Sequence, residues 1–333
     1  MPIINENDHD EQARYTEFVR NAPYTSITQD PGWGAIKNNW EPLHVTLEKD
    51  GKITAAMSIL MIANEAGEKL AYCSKGPVCD PTDVDTIEAL VAEAEPALRE
   101  NHVYVLRMDP EVEYQDALNE SFKQHGYQVR NRNVGMHDTI QPRFNMVMDL
   151  KDKSVDDVLM SFRPNTRHDV RHSIKPELTV DSGGSMAEMD RFYALYEEMS
   201  HRQNITYRPR DYFDRMVTAF SGTDILRIFV AHSDTQDLAG SLAFKYGDKL
   251  WYMYGGSVNA EPKLLAPYRI QWEMINEAVN AHKDRYDMGG VFALDKSDGL
   301  WLFKHGYVRE ATEYIGEIDK VYDEAAYAKF IGR

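Results

Sequence analysis

The stretch RPNTRHDVRHSIKP places a cation at every fourth residue, Arg163, Arg167, Arg171 and Lys175, with Pro164 and Pro176 near its ends. On a helix that spacing draws a slowly winding stripe along one face. From residue 163 to 175 the charge is four positive less Asp169, or +3, on a chain of −17. Charge runs are commonly solvated faces, yet a cationic helix on an acidic protein also suits an RNA phosphate backbone. His168 and His172, in HDVRH, have the spacing of a zinc-binding helix. The arginines around them would repel a dication, and Asp169 stands where such helices carry Glu, so no metal is expected.

Other candidates are smaller groups. In YRPRDYF, Arg208 and Tyr212 are four apart and share a face if Pro209 starts a helix. Such a pair fits a phosphate or carboxylate, and it fits ordinary surface packing equally. QDPGWGAIKNNWEP sets Trp33, Lys37 and Trp40 at near-helical spacing, either as core tryptophans with a solvated lysine or as a ligand-facing group. Asp109 follows the apolar run VYVLRM and precedes Pro110, a place for a turn residue or a functional carboxylate. Lys304 lies in LFKHGY, where a cation also suits a helix C-terminus.

The elements that must position these residues are written twice. KLAYCSKGPVCD (69–80) and KLWYMYGGSVNA (249–260) match at five of twelve positions, and His125-Gly126-Tyr127 is repeated 180 residues later as His305-Gly306-Tyr307. Each copy reads as a strand meander followed by helix, strand, helix, strand. In the first, LHVTLE, the turn Asp50-Gly51 and KITAAMSILM form a hairpin, and Ile87, Leu90, Val91, Ala94 and Leu98 mark one helical face. In the second, ILRIFVAH, LAGSLAFKY and KLWYMYGG follow the same order. The fold class is mixed α/β, from an internal duplication, and the order of elements resembles the GNAT acyltransferase fold. Neither copy carries the glycine-rich pyrophosphate loop by which that fold holds coenzyme A, so no coenzyme A is expected.

One difference between the copies bears on Lys304. Phe122 to Gly126 spans four residues and Phe303 to Gly306 three. If both glycines cap equivalent turns, the deletion rotates the preceding residues by about 100°. Lys304 should then turn inward while Lys123 stays outside.

At 333 residues the chain suits two domains. Its net charge of −17 argues against a general nucleic-acid binder and a DNA partner. No apolar run is long enough to span a membrane, and the acidic start MPIINENDHDEQ has no secretory pattern. A cytoplasmic protein without stable membrane insertion is expected. Cys73 and Cys79, the only cysteines, are too few and wrongly spaced for a zinc site or a disulfide framework.

Taken together, WGAIKNNWEP, SKGPV, VLRMDPEV, RNRNVGMHDTIQPRFNMVMDL, YRPRDYF, KLWYMYGGS, FKHGYV and YIGEIDKV resemble the Fem peptidoglycan-bridge aminoacyltransferases over nearly the whole chain. The resemblance implies two tandem GNAT-like domains. Residues 1–147 plus 316–333 would bind UDP-MurNAc-pentapeptide, and residues 148–315 would carry the aminoacyl-tRNA side and the catalytic lysine. Several relatives carry a coiled-coil arm; no sustained heptad insertion occurs here, so no arm is expected. The implied activity is transfer of L-alanine or L-serine from aminoacyl-tRNA to the lysine side-chain amine of UDP-MurNAc-pentapeptide, by a monomer without cofactor. By motif match, Lys37, Arg208, Tyr212 and Tyr254 would hold the nucleotide-sugar precursor. Asp109 would lie near the accepting amine, and Lys304 would face the tRNA acceptor end with Phe303 beside it. An ester is already activated, so the demands are alignment and oxyanion stabilisation, for which Lys304 is the candidate. Asp109 could deprotonate the ammonium, although a carboxylate of ordinary pKa is a weak base for that; a shuttle through the terminal ribose hydroxyl is the alternative. The stripe from Arg163 to Lys175 would dock the tRNA. The competing readings are a Fem-type transferase acting on a lipid-linked precursor and a non-catalytic module that binds cell-wall precursor.

Overall fold

Asp50 and Gly51 take positive φ, 52° and 74°, the backbone that a tight hairpin turn requires and that glycine adopts without steric cost. The computed structural model describes residues 3–332; Met1, Pro2 and Arg333 lie outside the described residues. The turn joins the first two strands of a chain that runs α1 (His9–Asn21), α2 (Pro31–Ile36), β1 (Glu41–Lys49), β2 (Lys52–Ala63), β3 (Lys69–Cys73), α3 (Val84–Glu100), β4 (Val103–Met108), α4 (Asp116–Gln124) and β5 (Gln128–Arg130). It continues through β6 (Phe144–Asp149), α5 (Val155–Ser161), α6 (Pro164–Ser173), β7 (Thr179–Gly183), α7 (Met186–Gln203), α8 (Arg210–Ala219), β8 (Leu226–His232), β9 (Asp237–Tyr246) and β10 (Lys249–Ser257). The last elements are α9 (Ala266–Asn280), β11 (Arg285–Val291), α10 (Gly299–Lys304), β12 (Thr312–Glu313), β13 (Glu317–Val321) and α11 (Glu324–Ile331).

Two mixed sheets result, ordered β1-β2-β3-β4-β13-β5 and β7-β8-β9-β10-β11-β6-β12. With β7 set aside as an extra edge, the second order repeats the first, and the repeated strand KLAYC/KLWYM is β3 in one sheet and β10 in the other. Each antiparallel meander passes through a helix, α3 or α9, to a parallel neighbour, β4 or β11. The sequence alone does not give the next step. β6 follows the first copy yet lies in the second sheet, and β13 follows the second copy yet lies between β4 and β5 in the first. The copies have exchanged their last strands. Accordingly the chain divides into two compact units, one running up to Arg143 and resuming from Glu313, the other Phe144–Thr312. A cut after residue 147, as read from the sequence, would divide β6.

Each unit has its own core. Ile87, Leu90, Val91, Ala94 and Leu98 of α3 are all buried, as their spacing predicts, and full burial of a large aliphatic side chain contributes about 1.5–3 kcal/mol. In the second unit Ile270, Met274, Ile275 and Ala278 of α9 pack on the sheet. The second copy departs from the reading at its end, since Val308 and Arg309 of FKHGYVR lie in no strand and the short β12 begins only at Thr312. Among the described residues the longest helix is α7, with 18 residues, and no helix is long and apolar enough to cross a membrane.

Candidate active site

Lys304 sits where the second sheet comes apart. β10 pairs with β11 from Lys249 to Trp251 only, although β10 continues to Ser257. Beyond that point β11 bulges between Asp287 and Gly290, with Gly289 at φ 78°. A Cβ on Gly289 would stand 3.7 Å from Lys304 Nζ. Lys304 is the last residue of α10, whose N-terminus is capped by Asp298 accepting from the amides of Leu300 and Trp301. Its side chain turns inward, 4 % exposed, and Nζ donates to the carbonyl of Gly290 at 2.9 Å. Burial pushes the Lys304 ammonium down to about 8, while the charges of Asp287 and Asp298 work in the opposite direction. Phe303 packs against Tyr268 and Tyr307, with ring centres 5.4 Å from each. It also lines a cavity of about 130 Å³ together with Met199, Tyr252, Gly256 and Gln271.

The contrast expected with Lys123 is present: that side chain is 49 % exposed and pairs with Glu120. The expected cause is not. Gly126 takes φ 81° and caps α4, but Gly306 is not in the left-handed region. It is glycine because a Cβ there would collide with Thr166 of α6.

In the first unit Asp109 directly follows β4, 9 % exposed. Its carboxylate accepts from the Tyr72 hydroxyl and the Lys75 amide, each at 2.6 Å, while the Lys75 ammonium pairs with Glu111 at 2.6 Å. Burial pushes the Asp109 carboxyl up to about 7, against the nearby Lys75 charge and both hydrogen bonds. That removes the objection that a carboxylate of ordinary pKa is a weak base.

Arg208, Tyr212 and Tyr254 come together in the second unit, not in the one expected to take the precursor. Pro209 is the N-cap of α8, so Arg208 precedes the helix and lays its guanidinium over the Tyr212 ring at 5.4 Å. The hydroxyls of Tyr254 and Tyr212 are 3.5 Å apart. Arg208 is exposed. Among the described residues no carboxylate pairs with it, leaving it suited to an anionic ligand. Lys37 belongs to the first unit. α2 ends at Ile36, so the near-helical spacing stops there and Lys37 is its C-cap, with Nζ 5.5 Å from the centre of the Trp33 ring.

The cationic stripe is shorter than its spacing implied. Only Arg167 and Arg171 lie within α6; Arg163 is its N-cap and Lys175 follows its end, because Pro164 opens the helix and Ile174 closes it. Arg163 contacts His305, Arg167 donates to the carbonyl of Met160, and Lys175 donates to that of Lys263. None of the four forms an ion pair among the described residues, so their charge stays available. The rings of His168 and His172 lie 4.1 Å apart on the exposed side of the same helix.

The FemAB family model matches residues 11–237 and 227–330. The chain belongs to the FemAB family. It is 47% identical over 337 aligned positions, 99% of each chain, to the UDP-N-acetylmuramoylpentapeptide-lysine N(6)-alanyltransferase of Weissella viridescens. In structure it is similar to a crystal structure of FemX, with TM-score 0.89 at 22% identity over 99% of this chain and 100% of that one. A tandem GNAT protein of the clavulanic acid biosynthesis pathway matches over 96% of this chain and 98% of its own, with TM-score 0.52 and 9% identity. The FemAB-family fold is thus a tandem GNAT-like one.

Three residues around Lys304 in this FemAB-family chain escaped the sequence reading. Asp287 and Lys249 are buried at the head of the split, and Gly289 forms its bulge. The doublet Gly289-Gly290 after a strand was the available signal, since paired glycines mark a bulge or a close backbone approach.

Proposed function

We propose that this chain transfers L-alanine from an aminoacyl-tRNA to the lysine side-chain amine of UDP-MurNAc-pentapeptide, as a monomer in the cytoplasm. The observation that carries the reading is 47% identity along 99% of both chains to an alanyltransferase named for that acceptor. The exposed Arg208, stacked on Tyr212 beside Tyr254, holds the diphosphate of the precursor, with Lys37 as a further cation for it. Asp109 takes a proton from the accepting ammonium, a task for which a carboxyl near 7 is suited. The free amine then attacks the ester carbonyl, forming the new C–N bond. Lys304, protonated below about 8, stabilises the resulting oxyanion. Collapse breaks the bond between the carbonyl carbon and the terminal ribose oxygen, which leaves with the proton lost by the amine. Phe303 packs beside the acceptor end, and Arg163, Arg167, Arg171 and Lys175 meet its phosphates.

The test is transfer of radiolabelled alanine, with serine and glycine in parallel, from charged tRNA to lysine-containing UDP-MurNAc-pentapeptide without ATP or coenzyme A. Alanyl product supports the reading. Product with serine or glycine only would correct the donor. Absence of product with all three, alongside product on a lipid-linked acceptor, would overturn the soluble acceptor.

A further inference from the structure

Asp287 is fully buried on β11 at the point where that strand leaves β10. One carboxylate oxygen accepts from the amide of Gly289 at 2.7 Å. The other is buried without a hydrogen-bond partner among the described residues, and its nearest cation is Lys249 Nζ at 3.7 Å, itself 2 % exposed. A buried carboxylate left half-satisfied is costly, and structural stability alone gives no reason to keep one here. Its position does. By holding the Gly289 amide, Asp287 fixes the bulge at φ 78°, and the bulge presents the Gly290 carbonyl to Lys304 Nζ. Its charge is also the first of those that favour the ammonium form of Lys304 against burial.

We infer that Asp287 is a positioning residue for Lys304, setting both the direction of its ammonium and the pH at which it remains charged. The inference rests on the reading of Lys304 as the oxyanion-stabilising cation, and Asp287 acts only through it. The charges that act on Lys304 are those of Asp287 on β11 and Asp298 at the start of α10, and Lys249 on β10 pairs with Asp287. The carbonyl of Tyr252 and the indole nitrogen of Trp251 approach the same bulge at Gly289. As the cation beside Asp287, Lys249 offsets part of its charge, so the two should be separable by sign.

The test follows the Lys304 side chain directly, by NMR titration of protein carrying ¹³C at the lysine ε-carbon, the Lys304 signal being assigned by its loss in Lys304→Met. Asp287→Asn should lower the Lys304 midpoint by about one pH unit, whereas Lys249→Met should raise it. An unmoved midpoint in Asp287→Asn overturns the inference. Should that variant fail to fold, Lys249→Met still decides, because an unchanged or lowered midpoint there is equally fatal. The pH profile of alanyl transfer, measured on the same proteins, separates the two readings. If the alkaline limb follows the midpoint, both stand. If the midpoint moves and the limb does not, the role of Lys304 fails while the hold of Asp287 on it survives.

Discussion

In the first sheet β3 and β4 remain paired from Lys69–Val103 to Cys73–Met108, whereas in the second β10 and β11 part after Trp251 and Asp287. The difference matters because a splayed pair exposes backbone groups that the ladder would otherwise satisfy. In the closed pair the strand ends are capped by side chains, with Asp109 taking the Tyr72 hydroxyl and the Lys75 amide. In the open pair the freed Gly290 carbonyl is taken by Lys304. Leu70 pairs with Val105 and Leu250 with Tyr286; counting four residues on from each partner reaches Asp109 and Gly290. One position of the repeat therefore supplies a carboxylate in one copy and anchors an ammonium in the other. Duplication has kept the scaffold and changed the polar groups at this position.

The largest effect expected of this difference separates the two lysines that follow corresponding phenylalanines. Lys304→Met should lower the transfer rate by about 10²–10³-fold, as loss of an oxyanion donor does, and Lys123→Met should leave it within about twofold. Similar losses in both would dissolve the distinction between the copies. Next comes the carboxylate. Asp109 is raised to about 7 and Lys304 lowered to about 8. Below the first value Asp109 is protonated and cannot accept a proton; above the second Lys304 is neutral and cannot meet an oxyanion. The rate should form a narrow bell between them, and Asp109→Asn should lower it by about 10–100-fold and erase the acid limb. An acid limb that survives in Asp109→Asn would assign it to another group.

A smaller effect is expected at the glycines. Gly289→Ala and Gly126→Ala both place a side chain at positive φ, 78° and 81°, and should each cost about 1 kcal/mol of stability in chemical denaturation. Only Gly289→Ala should also reduce turnover, since its Cβ would approach the Lys304 ammonium. Equal turnover in the two variants would show that the bulge does not position Lys304. The smallest is electrostatic. Replacing Arg167 and Arg171 together by alanine should raise KM for the charged tRNA several-fold and reduce the slope of log affinity against log salt by about 1.5. Binding of the precursor should be unchanged, and a matching loss there would remove α6 from the tRNA side.

Much of this organisation was legible beforehand because it rests on local pattern. The Asp50-Gly51 hairpin, the buried face of α3 and the start of α8 at Pro209 follow from turn chemistry, helical period and the special φ of proline. Local pattern also misled. The four-residue spacing of the cations continued past both ends of α6, and Gly306, placed like Gly126, serves close packing instead of a left-handed turn. Asp287 was passed over because nothing in RYDMGGV distinguishes a buried carboxylate from an exposed one.

The sequence by itself determined that one mixed unit is written twice, and which helices and strands compose it, because period and turn residues act over a few positions. Only the tertiary structure decided that the copies exchange their last strands, that one pair of parallel strands stays closed while its counterpart opens, and which contacts turn Lys304 inward. Those outcomes depend on which distant segments share a sheet, and a strand's own residues specify its faces far more strongly than its neighbours.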